Sequence, residues 1–342
     1  MGSDFFAVIM AGGRGTRFWP VSTCSRPKQF LRLAGSGTML EETADRFLGL
    51  CGRDRIMVVT GATHEDTVME QLPWMDRDNL LLEPVGRNTA PCIGWAAGTL
   101  IERGLGSELM IVVPSDHVID NPEGFRETVR IAAGPAMEGK LVTIGIPPDR
   151  PATGYGYLQT GKCRPGEACR VRAFREKPDL ETALRYLASG DYLWNAGMFI
   201  WKADVIMEQI RLHLPELARG LSRMGPGTRP DIGAYGSLES LSIDFGLMEK
   251  ADDVVAVPAL FEWNDIGDWP SARRCGVGRG EVLLYDSADT TVWNQGRLTI
   301  LLGIRGISIV QTDRVTLVMS DEYSQRLKDI VDGMEDIHPE LL

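Results

Sequence analysis

Residues 5–17 read FFAVIMAGGRGTR, seven apolar side chains followed by a turn of glycines and arginines. A run this short and this continuously apolar reads as a strand buried on both faces, the kind found in parallel sheets. Glycines at its end let backbone N–H groups approach a phosphate closely, and the N-terminus of a following helix adds a favourable dipole. The turn is not a P-loop, because no G-x-x-x-x-G-K-[ST] string occurs. Nor is it the dinucleotide fingerprint, because the sixth position counted from Gly13 is Phe18. A tight turn alone accounts for the glycines equally well, so the residues around it decide.

The turn continues into FWPVSTCSRPKQF (18–30), so Arg14, Arg17, Arg26 and Lys28 cluster in an otherwise acidic chain. Pro20 and Pro27 fix the path of this segment. A basic group on a braced loop suits a departing pyrophosphate, whose charge grows as its bond breaks. Further out, apolar runs at 55–61, 79–84, 108–114 and 141–146 alternate with helical patterns at about 38–50, 63–72, 88–103 and 123–138. That rhythm predicts an α/β fold, a Rossmann-like, mainly parallel mixed sheet with helices on both faces. The second half is less regular. YGYLQTG, VRAFREKP and AGMFIWK read as strands, 179–189 and 203–213 as helices, and the Gly/Pro-rich 223–237 as a loop. From 276 the texture becomes short, evenly spaced β runs ending in the helical pattern EYSQRLKDIVDGM. The expected division is a catalytic domain over 1–275 and a small β module with a terminal helix over 276–342.

The 342 residues are 44% hydrophobic and carry 36 basic against 47 acidic side chains, a formal charge of −11. That balance argues against nucleic-acid or anionic-membrane partners but not against one small anion in a locally basic cleft. Six cysteines without a C-x-x-C pair and four histidines make a zinc cluster or a disulfide framework unexpected, so reduced thiols in the cytoplasm are the expectation. The N-terminal apolar run is too short for a signal h-region or a membrane span.

The string MAGGRGTRFWPVS…RPKQF closely resembles the signature of mannose-1-phosphate guanylyltransferases, within the sugar-1-phosphate nucleotidyltransferase superfamily. Further motifs follow in that family's order: EPVGRNTAP (83–91), VPSDHVI (113–119), TGYGYL (153–158), FREKP (174–178), WNAGMF (194–199), SIDFGLMEK (242–250) and WNDIGDW (263–269). The ordered set spans about the first 270 residues of the chain. The resemblance implies transfer of GMP from GTP to mannose 1-phosphate, giving GDP-mannose and pyrophosphate. The sugar phosphate is already an anion, so positioning and charge neutralisation carry such a reaction without a strong base.

The resemblance also implies roles. Ala11, Gly12, Gly13, Arg14, Gly15, Thr16, Arg17 and Lys28 would hold the triphosphate, with Arg14 and Lys28 catalytic. Glu83, Pro84, Gly86, Arg87, Asn88 and Thr89 would face the nucleoside. Glu83 has the acceptors to take guanine N1–H and the N2 amino group together, although a solvated strand end would look the same. Asn88 and Thr89 are equally suited to capping the next helix. Ser115 and Asp116 end a strand, and Asp116 with Asp265 is the expected Mg2+ pair. The alternative for Asp116 is a cap on the helix near Pro122. Gly154, Tyr155, Glu176, Lys177, Asn195 and Asp265 form the expected sugar-phosphate set. Asp244 and Glu249 would brace it. Asp268 stands where the family often has Ser. The module after 276 is expected to be a short left-handed β-helix that helps form a homodimer. With only His213 and His338 beyond the main motifs, a second, isomerase domain is not expected. The competing readings are a nucleotidyltransferase for another sugar or base, and a regulatory subunit that binds GDP-mannose without turnover.

Overall fold

The apolar runs that open the chain lie side by side. β1 (Phe5–Ala11) pairs in parallel with β2 (Ile56–Gly61) and β4 (Leu109–Pro114), and β2 with β3 (Leu80–Glu83). The computed structural model describes residues 5–225, 227–278 and 280–342, and they divide into two compact units. The first comprises residues 5–12, 44–114 and 119–263, and the second 13–43, 115–118 and 264–342. This partition follows packing and differs from the sequence division at residue 275.

After the two-residue β5 (Val118–Ile119), the first unit continues with β6 (Leu141–Ile146), β7 (Gly156–Gln159), β8 (Cys169–Arg170), β9 (Ala173–Glu176), β10 (Tyr192–Lys202) and β11 (Val254–Pro258). Together with β1–β4 these make a ten-stranded mixed sheet in the order β3-β2-β1-β4-β10-β6-β11-β8, with β7 on β10 and β9 on β7. The strand β10 runs antiparallel to β4 and β6, and its register on β6 shifts between Asn195 and Phe199. Gly197 lies in that bulge at a φ of 66°, a conformation that suits glycine. The core holds Val8, Val59, Leu81, Ile93, Trp95, Val112, Phe199 and Trp201, all buried.

Some local expectations change. The segment 223–237 contains a helix, Ile232–Gly236, whose cap Asp231 accepts from Gly233 and Ala234 N–H at 2.9 and 3.0 Å. Pro215 starts a helix over Pro215–Arg223, where its missing N–H does no harm. Cys163 and Cys169 are disulfide-bonded, against the expectation of reduced thiols, because the β7–β8 connection brings their Cα atoms to 6.0 Å. Cys24, Cys51, Cys92 and Cys275 are outside that disulfide and carry thiols.

The second unit has its own apolar cluster, in which Phe18 and Trp19 pack with Leu31, Trp269, Trp293 and Leu327. After β12 (Trp263–Asn264) come β13 (Val282–Tyr285), β14 (Ala288–Trp293), β15 (Thr299–Leu302), β16 (Arg305–Gln311) and β17 (Thr316–Ser320). β13 pairs in parallel with β15 and β14 with β16, whereas β17 runs antiparallel to β16. These are small sheets, and the left-handed β-helix expected from the sequence is not what they establish. The terminal helix is a 3-10 turn, Asp321–Arg326, followed by an α-helix, Leu327–Gly333.

Asp268 joins the parts of this unit. It caps the helix Trp269–Arg274 by accepting from Ser271 N–H (2.9 Å) and Oγ (2.6 Å), and it also takes Ser324 Oγ and Gln325 Nε2, both at 2.8 Å. Burial alone would raise its pKa, but the donors from Ser271, Ser324 and Gln325 hold it below the ordinary value. Removal of the carboxylate in Asp268→Ala should destabilise the protein by about 2–4 kcal/mol at neutral pH. A lowered folded-state pKa gives stability that is present above the unfolded value, near 3.9, and lost as pH falls through the folded one. Thermal melts should therefore show the deficit narrowing below about pH 4; a constant deficit would mean that the charge is not what matters.

Candidate active site

Each unit gathers one part of the expected residues. In the second, the glycines of the loop do different jobs. Gly13 has a φ of 98° and no atom within 4 Å of where a Cβ would stand, so its backbone faces open space. Gly15, at a φ of 61°, is packed so tightly that a Cβ would lie 2.8 Å from Lys28 Cβ and 2.9 Å from Lys28 N. Ser22 Oγ donates to the Arg14 carbonyl (3.1 Å) and Gln29 Nε2 to the Gly13 carbonyl (3.3 Å), which braces the loop from below. Thr16 begins a short 3-10 turn, Thr16–Phe18.

Lys28 is only 5% exposed, beneath this loop. Its Nζ donates to Asp116 Oδ2 at 2.9 Å and to the Asp265 carbonyl at 2.5 Å, and it lies 5.5 Å from the centre of the Phe18 ring. Three distant segments therefore meet on one ammonium. Burial would raise the Asp116 pKa, but the charges of Lys28 and His117 bring it below the usual range. Asp116 does not cap the helix that starts at Pro122; Asn121 does, accepting from Gly124 N–H at 3.0 Å. The buried Ser115 offers its carbonyl to Thr43 Oγ1 at 3.1 Å. A Cβ on Gly267 would stand 3.2 Å from Asp265 Oδ2 and 3.6 Å from Arg17 Nη1, so those two side chains flank it. Nearer the surface, Arg14 pairs with Glu335 (2.7 Å) and Arg17 donates to Gln325 Oε1 (3.1 Å).

Among the described residues no three acidic, His or Cys side chains gather as a preformed metal cage. Asp116 and Asp265 still suit a hard divalent cation, which takes few carboxylates when phosphate oxygens and water complete its shell.

In the first unit, Ala11 ends β1, and Gly12 has open space where a Cβ would be. Glu83 ends β3, buried, and accepts a hydrogen bond from Tyr235 Oη. Burial raises the Glu83 pKa, partly offset by that bond. Pro84 follows, and Gly86 again opens onto space. Arg87 donates to the Gly236 carbonyl. Asn88, at a φ of 68°, caps the helix Thr89–Glu102 by accepting from Thr89 N–H at 2.9 Å, and Thr89 Oγ1 accepts from Ile243 N–H at 2.8 Å. The capping reading therefore holds for Asn88.

The same unit carries the expected sugar-phosphate set apart from Asp265. Lys177, at a φ of 45°, pairs with Glu176 at 2.8 Å, and its N–H donates to the Tyr155 carbonyl at 3.2 Å. Gly154 is open, whereas a Cβ at Gly156 would collide with Glu176 Oε2 at 2.4 Å. The Tyr155 ring stands edge-on to Trp194 and Trp263 at 5.1 and 5.2 Å, and Arg150 covers Trp194 at 4.8 Å. Asn195 donates to Asp244 Oδ1 at 2.8 Å. Sequence reasoning missed Tyr235, Gly156, Thr143 and Arg150. The second glycine of TGYGYL was a visible signal, and the others lie in segments without a distinctive local pattern.

The nucleotidyl transferase family profile matches residues 6–275. The xanthan biosynthesis protein XanB of Xanthomonas campestris pv. campestris is 40% identical over 96% of this chain and 73% of its own length. The mannose-1-phosphate guanylyltransferase ManC of Salmonella typhimurium is 37% identical over 97% of this chain and 74% of its own. A Thermus thermophilus crystal structure described as a mannose-1-phosphate geranyltransferase superposes with a TM-score of 0.88 at 32% identity, covering 97% of this chain and 99% of that one.

If Lys28 is what keeps Asp116 ionised, Lys28→Met should raise the Asp116 pKa, read by carboxyl NMR titration. It should also lower stability by about 1–3 kcal/mol, less than a fully buried pair because Asp116 is partly exposed. An unmoved Asp116 titration would show that the ion pair is incidental.

Proposed function

The chain belongs to the nucleotidyl transferase family and is an enzyme of it, and we propose that it joins GTP to α-D-mannose 1-phosphate, giving GDP-mannose and pyrophosphate. The observation that carries this reading is the buried Lys28 ammonium held by Asp116 and the Asp265 carbonyl under an open glycine loop. A phosphate oxygen of the sugar attacks the α-phosphorus in line, one P–O bond forms, and the bond to pyrophosphate breaks. Backbone N–H groups around Gly13, with Arg14, Arg17 and Lys28, hold the triphosphate and neutralise the departing pyrophosphate. Forming that contact takes Arg14 from Glu335, an exposed pair of low strength. Asp116 and Asp265 would hold a divalent cation, Mg2+ in this reading, which when bound offsets the repulsion between the two anionic substrates. Glu83 accepts from guanine, with Tyr235 fixing its carboxyl group. Lys177 takes the sugar phosphate, Glu176 and Asn195 the sugar hydroxyls, and Gly154 and Tyr155 the adjoining backbone approach.

The cytoplasm is the proposed location, since it holds the GTP supply; the Cys163–Cys169 bridge is the one feature that weighs the other way. Among the described residues no helix is long and apolar enough to cross a membrane. The β module is read as a short β-helix, because residues 282–285 pair with 299–302 and 288–293 with 305–310 in parallel at a constant offset. A homodimer through it is supported by Leu283, Tyr285, Ile300 and Leu302, exposed side chains on one face of the first ladder.

Pyrophosphate release measured with four nucleoside triphosphates and several sugar 1-phosphates tests the reaction. GTP with mannose 1-phosphate should give the highest kcat/KM, and a different preferred pair would replace this reading. Asp116→Asn and Asp265→Asn should each lower kcat by orders of magnitude with the melting temperature nearly unchanged. The double mutant should be little worse than either, because both changes disable one ion. Strictly multiplicative losses would separate the two carboxylates. Glu83→Gln should narrow the GTP-over-ATP preference, since one acceptor becomes a donor. An unchanged ratio would move base recognition to backbone groups near Gly12 or to Arg87.

A further inference from the structure

The mechanism above does not use Asp244, a partly buried acid beside the expected sugar-phosphate residues. Asp244 begins a short helix, Asp244–Met248, and its Oδ1 accepts from Asn195 Nδ2 at 2.8 Å. The Asn195 oxygen in turn accepts from Thr143 Oγ1 at 3.0 Å and from Gly197 N–H at 3.2 Å. These partners fix which way the amide points. Rotated by half a turn, its NH2 would face the Gly197 N–H and its oxygen would face a carboxylate, and both contacts repel. The bulge in β10 makes the arrangement possible, because it turns the Gly197 N–H back onto Asn195.

A count of bonding capacity then says what Asn195 has left. Its oxygen has two lone pairs, facing the Gly197 N–H and the Thr143 hydroxyl whose one hydrogen is shared with the Met198 carbonyl at 3.3 Å, and its NH2 has two hydrogens, one of which Asp244 takes. We propose that Asp244 is a positioning residue: it locks the Asn195 amide so that its remaining N–H is presented as a donor to a sugar hydroxyl oxygen. A hydroxyl that accepts from Asn195 keeps its own hydrogen to give away, and the neighbouring acid Glu176 is an acceptor. The pair therefore reads a hydroxyl in one sense, donor on one side and acceptor on the other: a deoxy sugar loses both bonds, and an O-methylated one loses the bond its hydrogen would make.

The charges around Asp244 agree with this arrangement. Burial first, and then the nearby Glu176, push its pKa up to about 6, against lowering by Asn195 and Lys177. Glu249, on the same stretch of chain, also feels Glu176, with Arg175 and Lys250 acting on it in the opposite sense. Asp244 thus loses its charge in mildly acidic solution, and the bond that holds Asn195 weakens when its acceptor is neutral.

The inference rests on the sugar-phosphate reading of this part of the chain, so it is tested on whichever sugar 1-phosphate the wild-type full chain turns over. A preference for a sugar other than mannose would sink the proposed substrate while leaving this test intact. Steady-state KM values are measured for both substrates in Asn195→Ala, Asp244→Ala, the double mutant and Asp244→Asn. Asp244→Ala and Asn195→Ala should each raise the sugar-phosphate KM by about tenfold, the factor that one ordinary hydrogen bond represents. The GTP KM should stay near wild type, and the double mutant should resemble Asn195→Ala, since both act on one amide. Asp244→Asn, which keeps an oxygen acceptor, should recover most of the loss. Multiplicative losses, or KM values for both substrates rising together, would make Asp244 merely structural. Should Asp244→Ala not fold, Asp244→Asn against wild type decides. Their sugar-phosphate KM ratio should be larger at pH 8 than at pH 5, with the titration of the substrate's own phosphate cancelling, and a ratio independent of pH overturns the proposal.

Discussion

A buried ammonium cannot stand alone, and much of the second unit is arranged to meet that requirement at Lys28. An unpaired charge in its place would carry a desolvation penalty of several kcal/mol. The chain meets it with a carboxylate from 115–118, a carbonyl from 264–268 and the face of Phe18. Those partners constrain everything near them. Gly15 has no Cβ because Lys28 fills the space where one would stand. Phe18 is held by Trp269 at 4.9 Å, and Trp269 by Trp293 at 5.8 Å, so the cation is indirectly seated on the small β sheets. The outcome is a fixed positive site beneath an open loop, in a chain whose net charge is −11. Arg14 and Arg17, paired with the exposed Glu335 and Gln325, form a second and more exposed tier of cations.

The carboxylates of the two units are tuned in opposite directions. In the second unit Asp116 is held below the usual range by Lys28, so it stays ionised and keeps its affinity for a cation. In the first unit burial raises both Glu83 and Asp244, and each accepts from a neutral side-chain donor, Tyr235 or Asn195. Carboxyl groups held by neutral donors are acceptors of fixed direction without a neutralising cation in contact. That chemistry reads N–H and O–H groups on a base or a sugar, whereas the Lys28 cluster is built for phosphate and metal charge. One residue type thus does two kinds of work, and the environment sets which.

How much of this the sequence reveals depends on whether the cause is local. A short continuous apolar run is a local feature, and β1 to β4 follow from four of them; the side chain that lets Asn88 cap its helix is local too. Lys28, Asp116 and Asp265 came together through the resemblance of their motifs to the family's, but nothing in their spacing says that Lys28 contacts the segments of the other two. The Tyr235–Glu83 and Asp244–Asn195 bonds join residues 152 and 49 positions apart, and Tyr235 came from a stretch whose glycines and prolines read as a loop. The Cys163–Cys169 bridge was invisible for a similar reason. Its spacing matches no framework, and the path of the connection between β7 and β8 brings the two thiols together.

Asp268 shows how a departure from the family's pattern is absorbed. A second carboxylate three residues after Asp265 would ordinarily add repulsion at a site meant for anions. Here its oxygens are taken up by Ser271, Ser324 and Gln325, so its charge is solvated by the protein itself. The same bonds tie the start of the helix Trp269–Arg274 to the C-terminal segment, and Gln325, one of those donors through Nε2, accepts from Arg17 through Oε1. Asp268 therefore fixes the end of the turn 264–268 that presents the Asp265 carbonyl to Lys28. Its negative charge is placed where it stabilises the scaffold of the positive site.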